Sequence, residues 1–385
     1  MTDLEKLERV KILCDPDLDA ELKEKIVKNL SGVVLSHQDQ YLWLGTDELT
    51  EIDRFTKIEG EDNLYGEHRR FPFKDLIEDF DESKGEVDVE GLDYDDGCLW
   101  LVGSHSSKRK KVNIERDKFQ VEGKELKKVE RQENRYLLAR ISINQFGELD
   151  AESPKRAWLK RNGSSNSLTK ALAKDEYLDL AQIITGESGG SLPGKEIYFY
   201  LPSKENGFDL EGLAVRGNKI WLGLRGPVLH GIAILLEIEV EEGTANQLKL
   251  KAIGEDSRQY KRHFLDLDGL GIRDLCWEEN GENLLVLAGP TMDLDGAHSL
   301  FRLSQPLSLQ DNSLSSQLNQ QLEYLGDIPH GRKIDRAEGL TLYGGGKSIL
   351  VVYDSPAKER LISDAQDPVV GVQADVFPLL RSGSD

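Results

Sequence analysis

Three glutamates in this chain each sit between an apolar residue and a Gly-Leu pair: Val89-Glu90-Gly91-Leu92, Leu210-Glu211-Gly212-Leu213 and Ala337-Glu338-Gly339-Leu340. Two further stretches fill the same place with other chemistry, Leu30-Ser31-Gly32-Val33 and Ile272-Arg273-Asp274-Leu275. If one fold brings the five positions together, three carboxylates, a hydroxyl and a guanidinium share a small space. Like charges there repel, the more so away from water, so protons, Arg273 or a cation must offset them. A hard cation such as Ca²⁺, with Mg²⁺ as the other candidate, accepts carboxylate and hydroxyl oxygen, which makes Ser31, Glu90, Glu211 and Glu338 a candidate metal set. Two other readings stand beside it. The glutamates could lock neighbouring strands together with Arg273 as their counterion, or act directly as acids and bases. Asp274 could replace Arg273 if its strand is shifted by one residue. No His/Cys cluster has zinc spacing.

A second set of reactive side chains lies in loops that follow the next apolar strand. His105, Arg225, His298 and Asp354 are the candidate catalytic residues, and Lys108, Arg109, Arg273, Asp293 and Asp295 the candidate substrate-binding ones. His105, Lys108, Arg109 and Arg225 would together make an anion clamp, since guanidinium binds phosphate bidentately. Asp293-Leu294-Asp295-Gly296 has part of a calcium-loop pattern but lacks the remaining ligands. Gly344-Gly345-Gly346 reads as a hairpin turn, not a phosphate loop, because no helix follows.

The elements that must position these groups are strands. After each of the five stretches comes a turn and an apolar run: Tyr41 to Gly45, Cys98 to Gly103, Lys219 to Leu224, Leu284 to Gly289 and Ser348 to Tyr353. The steps between equivalent positions 31, 90, 211, 273 and 338 are 59, 121, 62 and 65 residues. Three of them suit a four-stranded unit with loops, and the long one holds an insertion or a diverged further unit. Short strands at such a period predict an all-β fold, a five-bladed β-propeller with a six-bladed one as the alternative. A β-sandwich is the competing reading. In a propeller the first strand of each blade lines the channel, so the five positions fall near one mouth. Asp19 to Leu30 has helical period. The chain is expected to be one domain, 1–385, with a surface insertion at 147–195 whose single helix Ser167 caps and which runs to about Ile184.

With 385 residues and 38% hydrophobic content there is material for a sizeable core. The formal net charge of −21 argues against nucleic acid and anionic membrane surfaces as partners. No stretch approaches the roughly 20 apolar residues of a membrane span, and the charged start Met1 to Arg9 is unlike a secretory signal. The three cysteines Cys14, Cys98 and Cys276 are scattered, which suits a reduced cytoplasm. The expected partner is a small anionic substrate or a protein.

Several motifs together resemble a bacterial family known only as a domain of unknown function. They are Asp88-x-Glu90-Gly91-Leu92, Leu99-Trp100-Leu101-x-Gly103-Ser104-His105, Phe208 to Ala214 with Gly223 to Pro227, Leu275 to Ala288 with Gly289 to Gly296, and Glu338-Gly339-Leu340 with Val351 to Pro356. That resemblance spans nearly the whole chain and implies no activity. More distantly the repeated Glu-Gly is similar to esterase-like phytases and to calcium-activated nucleotidases, whose central calcium is held by glutamate and serine on innermost strands. This likeness implies a metal-dependent phosphoester hydrolase, with Ser31, Glu90, Glu211 and Glu338 matching by position and Arg273 departing from the pattern. A non-enzymatic binding scaffold with a structural glutamate ring is the alternative.

Overall fold

A computed structural model describes residues 3–61, 63–109, 128–178, 201–292 and 294–379. Among them, five antiparallel four-stranded sheets stand in sequence. Sheet one runs Leu30–Ser36, Tyr41–Thr46, Glu51–Lys57, Leu64–Pro72, and sheet two Val89–Asp95, Cys98–Gly103, Leu138–Ile143, Ala157–Leu159. Sheet three runs Asp209–Arg216, Lys219–Gly226, Ile232–Glu242, Lys261–Asp266, and sheet four Gly271–Trp277, Asn283–Gly289, His298–Ser304, Leu322–Ile328. Sheet five takes Arg336–Tyr343, Ser348–Asp354 and Gly371–Pro378, and the N-terminal strand Glu8–Leu13 completes it from outside. The first strand of every sheet packs on the first strand of the next, and that of sheet five returns to sheet one. The fold is a β-propeller.

The cores explain why the strands read as apolar on both faces. One hydrophobic cluster fills each of the five sheet-to-sheet junctions among the described residues. Trp43, Trp100 and Trp221 occupy the same place in their second strands and are fully buried, each against the following sheet. Burying both faces of every sheet removes the alternation that a one-sided sheet would show.

Three elements differ from the sequence reading. The fourth strand of sheet five is Glu8–Leu13, drawn in register across Gly371 to Val376, which closes the ring with the two ends of the chain. Sheet three closes with Lys261–Asp266, while Gln247 to Ile253, the stretch the sequence offers for that place, forms the short strand Gln247–Leu250, which pairs with the outer end of Ile232–Glu242 and, in parallel, with Ala157–Leu159 of sheet two. The described insertion helix is Ser167–Leu172 with Asn166, not Ser167, as its cap; Asn166 and Thr169 exchange side-chain and backbone bonds. It ends there because Asp175 turns into sheet three, accepting the Tyr260 hydroxyl at 2.5 Å and an Arg262 N–H. Residues 173–178 of the expected helix are turns instead, and its remainder to Ile184, with the stretch at 186–194, lies outside the described residues. The N-terminal helix is Ala20–Lys28, capped by Asp19.

Candidate metal centre

Each inner strand carries a β-bulge, and the bulged residue is Ser31, Glu90, Glu211, Arg273 or Glu338. The ladder passes from Val89 directly to Gly91, from Leu210 to Gly212, from Ala337 to Gly339, from Leu30 to Gly32 and from Ile272 to Asp274. A bulge leaves one residue out of the pairing and re-aims its side chain. The glycine that follows lets neighbouring strands close on the channel. At Gly91 a Cβ would come within 2.6 Å of Leu213 Cβ and 2.8 Å of the Glu211 carbonyl. Asp274 stands in the glycine place of sheet four and is fully buried. Its carboxylate accepts the Leu275 and Leu340 amides, each at 2.8 Å, so Arg273 is the ring residue and Asp274 a strap to sheet five.

The ring divides into two halves. On one side Arg273 Nη1 donates to both Glu211 oxygens, at 3.0 and 2.8 Å, and to Glu338 Oε2 at 2.7 Å. Arg225 Nη1 adds a bond to Glu211 Oε1 at 2.9 Å, while its Nε reaches the Thr291 carbonyl at 3.1 Å. Ser31 donates to the Val89 carbonyl of the neighbouring strand. These contacts tie adjacent inner strands with charge-assisted hydrogen bonds.

On the other side carboxylates gather in excess of their cationic partners. Asp47, Asp88 and Glu90 form one group and Glu90, Asp209 and Glu211 another, with one oxygen from each member within 4.8 Å of the others in its group. Glu90 belongs to both and accepts no hydrogen bond among the described residues, although it is only 8% exposed. Asp47 Oδ1 and Asp209 Oδ1 are buried and also lack a donor. Asp88 is paired with Arg135 at 2.6 Å, and Asp209 lies 3.5 Å from Arg225. Six carboxylates, counting Glu338, therefore face the three guanidiniums Arg135, Arg225 and Arg273. Burial, followed by mutual repulsion, holds Asp47, Glu90 and Asp209 well above the usual carboxylate range. Burial also raises Asp88, and it raises Glu338 to about 7 even though Arg273 pulls the other way. An all-oxygen donor set with excess negative charge and orphaned buried oxygens fits a hard divalent cation.

Asp88 and Asp209 were not singled out by sequence, yet a signal was present. Each stands two residues before a ring glutamate, so the spacing Asp-x-Glu recurs where sheets two and three begin. Asp47 directly follows the strand Tyr41–Thr46.

The remaining candidates are not gathered at this centre. His105 is fully buried; Nδ1 meets the Gly103 carbonyl and Nε2 the Asn166 amide, both at 2.7 Å, and burial lowers it to about 4. Lys108 is paired with Glu86, and Arg109 with Glu205. The expected anion clamp is thus dispersed, because Lys108 is held by an acid of the segment before sheet two and Arg109 by one of the loop before sheet three. Asp295 is exposed and accepts the Lys333 amide at 2.9 Å, and Asp293 lies outside the described residues. Asp354, half-buried at the ring mouth, accepts the Ser355 hydroxyl at 3.0 Å and adds to the repulsion on Asp47 and Glu338. His298 is 3% exposed with neither ring nitrogen bonded, and burial, then Arg273, lowers it to about 2.

Residues 29–370 match the family described as "Protein of unknown function (DUF3616)". The chain belongs to that family. The DUF3616 match takes in all five ring residues and both carboxylate groups. No curated protein matches the chain. Among solved structures, the PQQ-bound aldose sugar dehydrogenase from Streptomyces coelicolor is 11% identical over 98% of each chain, with a TM-score of 0.38. The β-propeller domain of Myceliophteria thermophila Cps50 (Swd1) is 8% identical, covering 91% of this chain and 84% of its own, TM-score 0.33. The periplasmic gluconolactonase of Pseudomonas aeruginosa is 11% identical over 91% and 70%, TM-score 0.32. Likeness at this level says nothing about chemistry. No helix among the described residues is long and apolar enough to cross a membrane.

Proposed function

We propose that this DUF3616 propeller binds a divalent cation, Ca²⁺ in the first instance, between Asp47, Asp88, Glu90, Asp209 and Glu211, and uses it to hydrolyse a phosphate ester at the ring mouth. The observation that carries the reading is the pair of buried carboxylate groups sharing Glu90, with Asp47 Oδ1 and Asp209 Oδ1 left without donors. Compared with the set expected from sequence, the ligands move off the channel axis, because Arg273 already occupies Glu211 and Glu338 on the other side. A cation held there supplies charge to polarise a phosphoryl oxygen. Arg225, beside Glu211, would neutralise charge on the substrate, and Asp354 would take the proton of the attacking water as the ester oxygen departs.

The scaffold reading has its own support, in the hydrogen bonds that join Glu211 and Glu338 through Arg273 and lock three inner strands. Turnover separates the two. Purified protein assayed on nitrophenyl phosphates, nucleotides and phytate should release phosphate with Ca²⁺, stop on chelation and recover on calcium addition. Glu211→Gln should lose most of that activity. No turnover on any of these esters, or full activity in Glu211→Gln, overturns the hydrolase reading.

A further inference from the structure

A cavity of about 370 Å³ opens at the opposite end of the channel from the carboxylate groups, and all five inner strands line it. That size lies at the small end of the range for small-molecule sites. Its wall is acidic and aromatic. Asp39, Asp93, Asp95, Glu278 and Glu279 line it against a single guanidinium, Arg216, with the rings of Tyr94 and Trp277 between them. Of these acids, Glu278 is already matched by Arg302 at 2.6 Å. Asp93 and Asp95 accept backbone amides, from Val215 and Tyr94 and from Gly217, which hold their carboxyl groups in place, while burial raises both, Asp93 to about 7, so that a cation must draw out the Asp93 proton.

Two further features narrow the ligand. Among the described residues, three carboxylates converge within 4.8 Å of one another only at the other mouth, so the acids of this wall do not form such a cluster. The protein's own Arg216 sits with its guanidinium 5.5 Å from the Trp277 ring centre while donating to the Gly281 carbonyl. The wall thus already accepts a nitrogen cation on an aromatic face.

We infer that this cavity is a binding site for a small organic polycation, an amine carrying two or more spaced positive charges. The acids take the ammonium groups, and Tyr94 and Trp277 cover the apolar links between them. The site is independent of the ring mouth and of any hydrolysis there.

Spermidine is the probe. Calorimetry at physiological ionic strength should show one saturable site per chain, with quenching of Trp277 fluorescence that disappears in Trp277→Phe. Asp93→Asn and Glu279→Gln should each weaken binding by about fivefold, roughly 1 kcal/mol. Glu152→Gln, at an exposed acid of the outer rim, should leave it unchanged. Glu279 is exposed, so its variant decides the matter if Asp93→Asn folds poorly. The inference is overturned if spermidine shows no saturable binding, if Glu152→Gln weakens it as much as Glu279→Gln, or if Mg²⁺ alone competes at equal concentration. Calcium content of the same samples reports separately on the ring mouth.

Discussion

Glu90→Gln should have opposite effects on the two states of the protein, weakening calcium binding by roughly a hundredfold, about 2.7 kcal/mol, while raising the melting temperature of the chelated form. Glu90 is the one carboxylate common to both buried groups. Without a cation its charge meets those of Asp47, Asp88, Glu211 and Asp209 with no hydrogen bond in return. An amide keeps the shape and removes the repulsion. The sign with pH follows from the raised carboxyl. The folded chain holds this proton more tightly than the unfolded one, so the group's contribution is full below about pH 4.3, the unfolded value, and is lost as pH rises through the folded value. The advantage of Glu90→Gln over the chelated wild type should therefore be absent near pH 4 and grow toward alkaline pH. Glu338, at about 7, adds a loss of the same sign between about pH 4 and 7. Thermal melts across pH, with chelator and with calcium, read both effects. A variant less stable than wild type in chelator at pH 8 would contradict the account.

Arg273→Met should be the most destabilising substitution at the ring. Arg273 is 4% exposed, and one of its nitrogens serves Glu211 and Glu338 at once. Removing the guanidinium leaves buried Glu338 without its cation and Glu211 with Arg225 alone, a class of change that costs about 3–5 kcal/mol. Denaturant midpoints in chelator should fall accordingly. Calcium should restore part of the loss, because Glu211 and Glu338 then become free to join a cation, and Mg²⁺ should restore less, since it demands stricter geometry. Arg273→Lys should fall between, keeping the charge but not the planar guanidinium whose reach places one nitrogen between both partners. Wild-type stability in Arg273→Met would show that the ring half assigned to interlocking carries no load.

The propeller was legible because a bulge is a local event with a sequence trace: an out-of-register polar residue before Gly-Leu, recurring ahead of an apolar run. The five ring residues could be aligned from that trace alone. The N-terminal strand of sheet five could not, because its pairing with Gly371 to Val376 depends on chain ends that only the closed ring brings together. Arg273 was legible as the odd member and as a counterion for the glutamates, but not which of them it reaches, since that is a matter of side-chain length and channel width. His105 misled for a plain physical reason. A Ser- and Lys-rich loop reads as exposed, yet its histidine turns inward to fill the hydrogen bonds of the Gly103 carbonyl and Asn166. Asp88 and Asp209 were less legible, because it is the bulges and the left-handed backbone at Asp88, not a regular strand period, that bring each aspartate beside its glutamate.

The most direct test of the central claim is the calcium content of the chain after saturation and exhaustive dialysis, measured by elemental analysis for wild type and Glu90→Gln together. The account predicts close to one equivalent in the wild type and close to none in the variant. A wild type that retains no calcium, or a variant that retains as much as wild type, would contradict it.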